Sequence, residues 1–571
     1  MRKRLLTLCL LTVGCLFFME SLSAQDGQGS EGSLLPEIDP QDIEIRSQYR
    51  ARFPGLNRQP ILGFTPGSRV FQVDPDRLPF LEDREEIAAQ LPVGELTRPQ
   101  APSYETYPYA ERSNGYGRFG FGNYLSPDLE FHLNQELSET QWFTGAFDYL
   151  SGDGHLDQKS SFRQADLRAG YIGSIGEKML LETYLGGLSD FNYLILPGGV
   201  TASENPGRKT YNSFNGGVSF TRYRSRVDYI EGGIEGEVNT IVLNEERFQL
   251  SDELSDWRVG GDATLHWAGN KADERFSVRA DLEAGGYDNE AGTNDVWHIA
   301  QIDAAYNRLF NHQTRLHVSL GAAHGGDAVE QSAIYFTPDL GIEHTFTDYV
   351  GLSASLSGTL DQQGQMKHHQ VNRFLLPGNV LRNKYDLTAS VELMIEPLAA
   401  NQIRIGTAYR SIKNYAWYQR VPINTGNAIV PGHYSIEYDD VTIPEVFAGI
   451  GVDLVRERVW FDVEGYLQSP RISDTEKVPF EEEFGLTGTL TIRPVDLLQF
   501  EFWGSFIGPR STPEQNELPA YLDLGTKLEL RITERVGVYG QINNLLNQEY
   551  EIWEGYTERP FQMFGGITLH L

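Results

Sequence analysis

The chain has 571 residues, of which 79 are acidic and 47 are Lys or Arg, so its formal net charge is −32 at pH 7. A chain this acidic repels phosphate backbones, which excludes nucleic acid as a partner. Its mean hydropathy of −0.37 excludes a bundle of membrane-spanning helices. It does not exclude a membrane barrel, because barrel strands alternate apolar and polar residues.

Residues 1–24 are typical of a secretory signal peptide. Residues 2–4 are basic, residues 5–18 are apolar, and small residues follow at a cleavage site. A membrane anchor is the alternative, but the apolar run is short for a span. Both cysteines, Cys9 and Cys15, lie in this segment. The mature chain therefore has no thiol, no disulfide and no cysteine metal ligand.

Residues 25–112 differ from the rest of the chain because they contain many prolines and little alternation. Proline has no amide donor, so this density predicts an extended arm with at most a short helix near 82–90. One segment of the arm has the composition of a strand that adds to the sheet edge of a partner protein, with an ordinary linker as the alternative. This possible docking segment comprises Asp42, Ile43, Glu44 and Ile45.

From residue 113 to residue 571 the sequence predicts a series of β-strands. Apolar and polar residues alternate, so each predicted strand has one apolar and one polar face. The clearest apolar faces comprise Trp257, Val259, Leu265 and Trp267; Leu387, Val391 and Ile395; Val459, Phe461 and Val463; and Leu498, Phe500 and Phe502.

The connections between these strands alternate between short and long. Short ones are predicted near 138–140, 174–176, 222–226, 270–273, 311–312, 347–348, 398–401, 456–457, 495–496 and 534, and longer ones near 151–160, 189–209, 241–253, 288–295, 361–383, 419–434, 469–481, 509–518 and 546–560. This asymmetry predicts an all-β fold, a transmembrane antiparallel β-barrel of about 22 strands preceded by the proline-rich arm. Soluble β-sandwiches are the alternative, but they show no such alternation of loop lengths.

Two tryptophans mark the expected membrane boundaries on one strand. Trp257 and Trp267 lie ten residues apart on the same face. At about 3.3 Å per residue and a tilt of about 40°, this spacing rises roughly 25 Å, the height of the apolar band of a barrel. Trp257 and Trp267 are therefore predicted to anchor the barrel at the two lipid–water interfaces.

The C-terminal stretch carries a family resemblance. The run from 523 to 556, DLGTKLELRITERVGVYGQINNLLNQEYEIWEGY, is followed by an apolar terminal strand. It resembles the end of TonB-dependent receptors of the bacterial outer membrane, whose penultimate strand ends in an Asn-Leu-hydrophobic-Asn-x-x-Tyr motif. The matching residues are Asn544, Leu545, Leu546, Asn547 and Tyr550.

The resemblance implies an outer-membrane location, surrounding lipid, insertion by the barrel-assembly machinery, and about 22 strands. It also implies an inner-membrane energy coupler as a possible partner. In that family an N-terminal plug domain fills the lumen, but none of its Gly- and Arg-rich motifs is found between 25 and 112. No plug residue can therefore be assigned here.

No catalytic, cofactor or metal motif stands out in the sequence. His368 and His369 are expected to be a solvated loop pair rather than a metal or ligand contact. The carboxylates Asp462 with Glu464, and Asp523 with Glu529, are expected to line a polar lumen rather than act as an acid–base pair. The apolar loop at 195–199 is a candidate for an inward-folded ligand contact.

Three functions are compatible with these patterns. The preferred one is a receptor-like barrel that binds or takes up a solute. The second is a non-transport platform whose arm docks a periplasmic or envelope-assembly partner. The third is a barrel enzyme, which the absence of Ser–His or Asp–His motifs disfavours.

Overall fold

The structure is a computed structural model that describes residues 115–571, apart from 155–159, 195–206, 226, 246–249, 272, 289–293, 331, 377, 399–400, 425–428, 456–457 and 473–475. The predicted signal peptide, the arm with its docking segment 42–45, and the apolar loop 195–199 lie outside the described residues.

Most of the described chain is strand. The strands are β1 Gly115–Gly122, β2 Ser126–Ser138, β3 Gln141–Gly152, β4 Phe162–Ile175, β5 Met179–Leu194, β6 Gly207–Tyr223, β7 Tyr229–Glu245, β8 Leu250–Ala268, β9 Glu274–Asp288, β10 Asn294–Asn311, β11 Thr314–Gly326, β12 Ala333–Thr347, β13 Val350–Gln362, β14 Asn383–Leu398, β15 Asn401–Asn424, β16 Ile429–Val455, β17 Val459–Gln468, β18 Phe484–Val495, β19 Leu498–Ile507, β20 Arg510–Ser511, β21 Glu517–Leu518, β22 Tyr521–Arg531, β23 Val536–Asn543, β24 Glu551–Trp553, β25 Tyr556–Thr557 and β26 Gln562–His570. One helix, α1, spans Gln365–Val371 between β13 and β14.

Twenty-two of these strands form one closed antiparallel sheet. Each pairs with its neighbours along the chain, and β1 closes the ring by pairing with β26. The remaining four form two small hairpins, β20–β21 and β24–β25, within connections. Closure leaves no unpaired sheet edge, as a strand protein in lipid requires. The predicted barrel of about 22 strands is confirmed.

The two ends of the barrel differ. Tight connections such as 139–140 and 312–313 lie at one end, here called the short-turn end, together with Gly115 and Leu571, whose backbones are hydrogen-bonded to each other. Longer connections lie at the opposite, long-loop end. The sequence pattern misses two connections at the long-loop end, 123–125 and 327–332.

Two expected long loops are wrong in extent. The chain is strand through most of 241–253 and 419–434, and the pairing continues to Glu245↔Leu250 and to Asn424↔Ile429. Side-chain alternation fades in these segments, but backbone groups still pair, because pairing does not depend on an apolar face. Several strand pairs therefore extend beyond the apolar band.

The strands present an apolar face outward and a polar face into the lumen. Exposed apolar residues of the outer band include Leu167, Leu185, Phe214, Ile234, Trp257, Val259, Leu282, Ile302 and Phe502. Residues next to them along the strands face the lumen and include Asp166, Tyr184, Glu235, Arg258, Asp281 and Asp303. No helix in the described part of the chain is long and apolar enough to cross a membrane.

Glycines make the seam between β1 and β26 very close. Gly120 and Gly566 are register partners, and the ring of Tyr539 on β23 lies against both. A Cβ on Gly566 would lie 2.1 Å from the backbone oxygen of Phe119. Any side chain at this position would force the two closing strands apart.

We expect Gly566→Ala to lower the free energy of unfolding by about 1–3 kcal/mol, because the added methyl group overpacks the seam. The neighbouring Gly565→Ala is the control, since its Cβ would meet nothing closer than 3.7 Å. Guanidinium unfolding of the refolded barrel, followed by tryptophan fluorescence, measures both. Equal stability of the two variants would contradict this account of the seam.

Candidate functional site

The connection between β13 and β14, residues 363–382, is here called the mouth segment. Its helix, α1, starts after Gly364 and ends at Asn372, whose amide donates to the carbonyl of His368 at 2.9 Å. The Asn372 side chain then accepts a hydrogen bond from the amide of Phe374 at 2.9 Å. This local turn directs the residues after α1 back across the end of the barrel.

The mouth segment contacts walls of the barrel that face each other. In a closed ring of 22 strands, β6 and β16 lie on opposite sides. The segment is hydrogen-bonded to Lys209 on β6 and to Tyr434 on β16. It therefore bridges the mouth of the barrel at the long-loop end.

Lys209 attaches the segment to the first wall. Its side chain is 2% exposed. Its Nζ donates to the carbonyl of Arg373 at 2.6 Å and to that of Leu375 at 3.3 Å, and lies 3.0 Å from His369 Nδ1. One buried amine thus satisfies acceptors from both α1 and the turn that follows it.

Asp256 on β8 holds the start of α1 at the same wall. Its Oδ2 accepts from the backbone amide of Gln365 at 3.0 Å. The Gln365 side chain donates to the carbonyl of Asn379 at 3.1 Å, which ties the two ends of the mouth segment together. The ring of His369 stacks on Tyr211 of β6. These contacts fix the orientation of α1.

Backbone pairing attaches the segment to the opposite wall. Leu375 forms a parallel bridge with Tyr434, with the amide of Leu376 donating to Tyr434 at 2.9 Å and the amide of Tyr434 donating to Phe374 at 3.2 Å. The amide of Ile436 donates to the Asn379 side chain at 3.0 Å. The segment thus pairs with the edge of β16 in a part of that strand that β17 does not cover, because β17 pairs only from Glu445 onward.

Aromatic side chains from other connections pack on this bridge. Phe374 stacks on Tyr556 of β25 with ring centres 3.8 Å apart. Trp553 of β24 and Phe480, from the β17–β18 connection, contact each other and Tyr434. These rings belong to the largest buried apolar cluster of the described chain. The aromatic contacts thus lie at the long-loop end of the barrel.

The bridge also buries polar atoms that have no hydrogen-bond partner among the described residues. They include His368 Nε2, His369 Nε2, Gln365 Oε1, Asn372 Nδ2 and both side-chain polar atoms of Gln362. Each such atom costs about 1–3 kcal/mol. These atoms reduce the net stability that the mouth segment gains from its other contacts.

Burial changes the protonation of the mouth segment. It lowers the pKa of His368 to about 4, with a smaller contribution from Lys367 and Lys384, and His368 Nδ1 lies 3.2 Å from the Tyr418 hydroxyl. Burial, aided by Lys209 and His368, also holds the pKa of His369 well below its usual range. The bridged state therefore contains neutral imidazoles.

Lys209 shows the same effect of burial. It lies beyond the apolar band of β6, which ends at Phe214. Burial lowers its pKa to about 7, although Asp190 opposes this shift. Closing the bridge therefore releases protons from both Lys209 and the imidazoles.

The sequence-based candidates fall in several places. The expected solvated pair His368 and His369 is wrong, because both side chains are buried in the bridge. The sequence pattern did not reveal Lys209 and Asp256, because each is a single polar residue on a strand face.

Two of the carboxylates singled out in the sequence have a basic neighbour on the wall. Glu464 pairs with Arg404 at 2.6 Å, and Glu529 lies 3.9 Å from Lys527.

The terminal motif forms a turn at the long-loop end of β23. Asn544 and Asn547 have positive φ, and the Asn544 side chain bonds backbone groups of Gln548 and Arg559. Leu545 donates its amide to the Leu524 carbonyl at 2.8 Å, and Leu546 is exposed. Tyr550 stacks on Tyr521 with ring centres 4.2 Å apart. These contacts join the turn after β23 to β22 and to the segment that leads into β26.

The two tryptophans both lie on the outward face of β8. Trp257 is exposed toward the long-loop end, and Trp267 stacks on Phe276 near the short-turn end. Their role as interface anchors stays a prediction.

We expect Lys209→Met to raise hydrogen exchange of backbone amides in 364–382 at least about tenfold, because three acceptors lose their donor. Lys367→Met is the matched control, since Lys367 is exposed and forms a long ion pair, 3.8 Å from Asp361. Mass spectrometry of peptides from the folded barrel measures both. Similar exchange in the two variants would show that Lys209 does not hold the segment.

Acid is expected to loosen the bridge. An exposed imidazole has a pKa near 6.5, whereas that of buried His368 is about 4. Between these pH values the open state binds more protons, so the bridged state loses stability as the pH falls from about 6.5 toward 4. Exchange in 364–382, corrected for the intrinsic effect of pH, should rise over this range. A double variant His368→Gln, His369→Gln should lose this rise, and an unchanged rise would contradict the assignment.

No protein-family model matches the sequence, and a search of curated proteins finds no relative. Among solved structures, the chain is similar to the ferric-catecholate import receptor Fiu from E. coli K12, with a TM-score of 0.59, 10% identity and coverage of 80% of this chain and 82% of that chain. It is also similar to the siderophore receptor PiuA from Acinetobacter baumannii, with a TM-score of 0.62, and to the FrpB iron transporter from Neisseria meningitidis, with a TM-score of 0.63. In both cases the identity is 8%, and the match covers 80% of this chain and 81% of that chain.

At these identities the similarity establishes the fold. The 22-stranded barrel resembles those of TonB-dependent receptors, which agrees with the resemblance of the terminal motif. Together with the exposed apolar band, it is the architecture of a multi-pass β-barrel of the bacterial outer membrane.

Proposed function

We propose that this protein is an outer-membrane barrel for uptake of a solute, with its long-loop end facing the outside of the cell and the mouth segment acting as its gate. The observation that carries the proposal is the bridge between opposite walls through Lys209 and Tyr434. A non-transport anchor has no need of a segment across its mouth. The similar structures support uptake, since they are described as import receptors and transporters.

The gate can move without disturbing the wall. The ladder between β13 and β14 continues to Gln362↔Asn383, so the mouth segment leaves and rejoins the barrel at directly paired residues. Between them, the described residues of the segment contact side chains of the wall such as Lys209, Asp256 and Tyr287, pair with β16, and pack against the aromatic cluster. Detaching the segment breaks these contacts and leaves the ring of 22 strands intact.

The lumen favours cationic or neutral solutes. Inward-facing carboxylates outnumber arginines on the wall formed by β7, β8 and β9, which carries Glu231, Glu235, Glu237, Asp262, Asp281 and Glu283 against Arg258, Arg275 and Arg279. An excess of one sign of charge in a confined lumen attracts ions of the opposite sign. We infer that the lumen prefers positively charged solutes. We also infer that the protein carries out no enzymatic step.

Two partners belong to the same proposal. The terminal-motif resemblance suggests an inner-membrane energy coupler, and segment 42–45 of the arm is the proposed contact. The barrel-assembly machinery would insert the chain. Docking of a periplasmic or envelope-assembly protein through the arm is the alternative role.

A hairpin variant tests the proposed gate. Because Gln362 and Asn383 are directly paired, a short Asn-Gly turn can replace residues 363–382 and preserve the β13–β14 ladder. We expect liposomes that contain this variant to swell in solutions of small sugars, whereas wild-type liposomes do not.

The matched control replaces 508–520, another connection at the same end, between the paired Ile507 and Tyr521. It contributes Leu518 to the aromatic cluster without bridging the mouth, so its liposomes should stay impermeable. If the hairpin variant is as impermeable as wild type, the proposed gate is wrong. If wild-type liposomes swell to the same extent, the mouth is not closed.

A further inference from the structure

Three carboxylates form a row across the lumenal wall, at a distance from the mouth segment. Glu130 on β2 is directly opposite Asp148 on β3, and Asp148 is directly opposite Asp166 on β4. Like charges at directly opposed positions destabilise a sheet. The row therefore needs positive charge beside it.

Arginines supply that charge only at the two ends of the row. Arg118 lies 2.9 Å from Glu130 and 3.1 Å from Asp128. Arg168 lies 2.5 Å from Asp166. Asp148, in the middle, makes no hydrogen bond or ion pair within the described residues. The position between Glu130 and Asp148 is thus where a further cation would relieve the most repulsion.

His132 adds a nitrogen donor at this position. Its Nε2 lies 2.9 Å from a carboxylate oxygen of Glu130. One ligand atom each of Glu130, His132 and Asp148 lie within 4.8 Å of one another. One imidazole nitrogen and two carboxylate oxygens suit a divalent transition-metal ion, and histidine makes Mg²⁺ or Ca²⁺ a poor match.

Other histidines of the wall lack this arrangement. His266 lies 2.9 Å from Glu231, and His317 lies 3.0 Å from Asp339. Neither pair has a second carboxylate within the same reach in the described part of the chain. The comparison separates the group on β2 and β3 from ordinary histidine–carboxylate pairs.

We propose that Glu130, His132 and Asp148 form a binding site for a divalent transition-metal ion, such as Cu²⁺ or Zn²⁺, on the lumenal wall. Glu130 and His132 lie two residues apart on one strand face, and Asp148 faces them from the next strand. The wall supplies three ligands, and the side open to the lumen leaves positions for water. Arg118 positions Glu130 through their ion pair.

The test uses the full mature chain, purified in detergent without a histidine tag and titrated with Cu²⁺. We expect one ion per barrel and an electron paramagnetic resonance spectrum that shows coupling to a single imidazole nitrogen. Zn²⁺ should compete for the same site only in excess, because N/O ligand sets bind Cu²⁺ more tightly than Zn²⁺. His132→Ala should abolish the nitrogen coupling, and both His132→Ala and Asp148→Asn should weaken binding by about tenfold or more.

Two matched variants control for charge and for histidine content. Asp166→Asn removes one charge from the same row but no ligand, and His266→Ala removes a histidine that has one carboxylate neighbour. Both should leave the affinity unchanged. If Asp166→Asn weakens binding as much as Asp148→Asn, diffuse charge holds the ion and the assigned site is wrong. Retention of the nitrogen coupling in His132→Ala overturns it as well.

Heat-modifiable migration on gels establishes that each variant is a folded barrel. If His132→Ala does not fold, His132→Asn keeps a polar group at the position and is expected to lose the nitrogen coupling in the same way. Absence of stoichiometric Cu²⁺ binding by the wild-type barrel overturns the proposal directly.

Discussion

The structure depends on the pairing of every backbone donor and acceptor in the part of the wall that faces lipid. Lipid offers no hydrogen bonds, so a strand protein in a membrane must close its sheet. Here closure requires β1 and β26 to meet, and Gly120 and Gly566 allow this close approach under Tyr539. Once the ring is closed, alternation along each strand produces an apolar exterior and a polar lumen, because successive side chains point to opposite faces of the sheet.

This constraint also explains why the mouth segment is different from the wall. The wall is held by a continuous ladder that involves 22 strands. Among its described residues, the segment makes one short backbone pairing, at Tyr434, and side chains provide most of its other contacts with the wall. It buries an amine and two imidazoles whose pKa values burial lowers. A contact of this kind opens at a lower free-energy cost than the ladder, which is the property a gate needs.

Local periodicity in the sequence was sufficient to predict the barrel wall. Alternation in runs such as Trp257–Trp267 identified the outer face, and the spacing of turns indicated the number of strands. Periodicity failed where backbone pairing continues without alternation, as in β15 and β16. It also failed at His368 and His369, because their burial depends on Lys209 and Tyr418, which are distant in the sequence and brought near by closure of the barrel.

The acidic row on β2–β4 illustrates the same limit. Glu130 and His132 are two residues apart, which is common on a strand and carries little information. Only the cross-strand register places Asp148 opposite Glu130, and only the positions of Arg118 and Arg168 show that Asp148 is the unneutralised member. Lumenal chemistry in a barrel is thus determined by register, which periodicity alone does not specify.

Single-channel conductance in planar bilayers tests most directly whether the mouth segment closes this barrel. The comparison uses chains that begin at residue 113, with the native segment or with the short turn in place of 363–382, so that the arm plays no part. The account predicts large, steady conductance steps for the chain with the short turn and none for the native segment at neutral pH. Equally large steps with the native segment would show that the bridge between Lys209 and Tyr434 does not close the mouth.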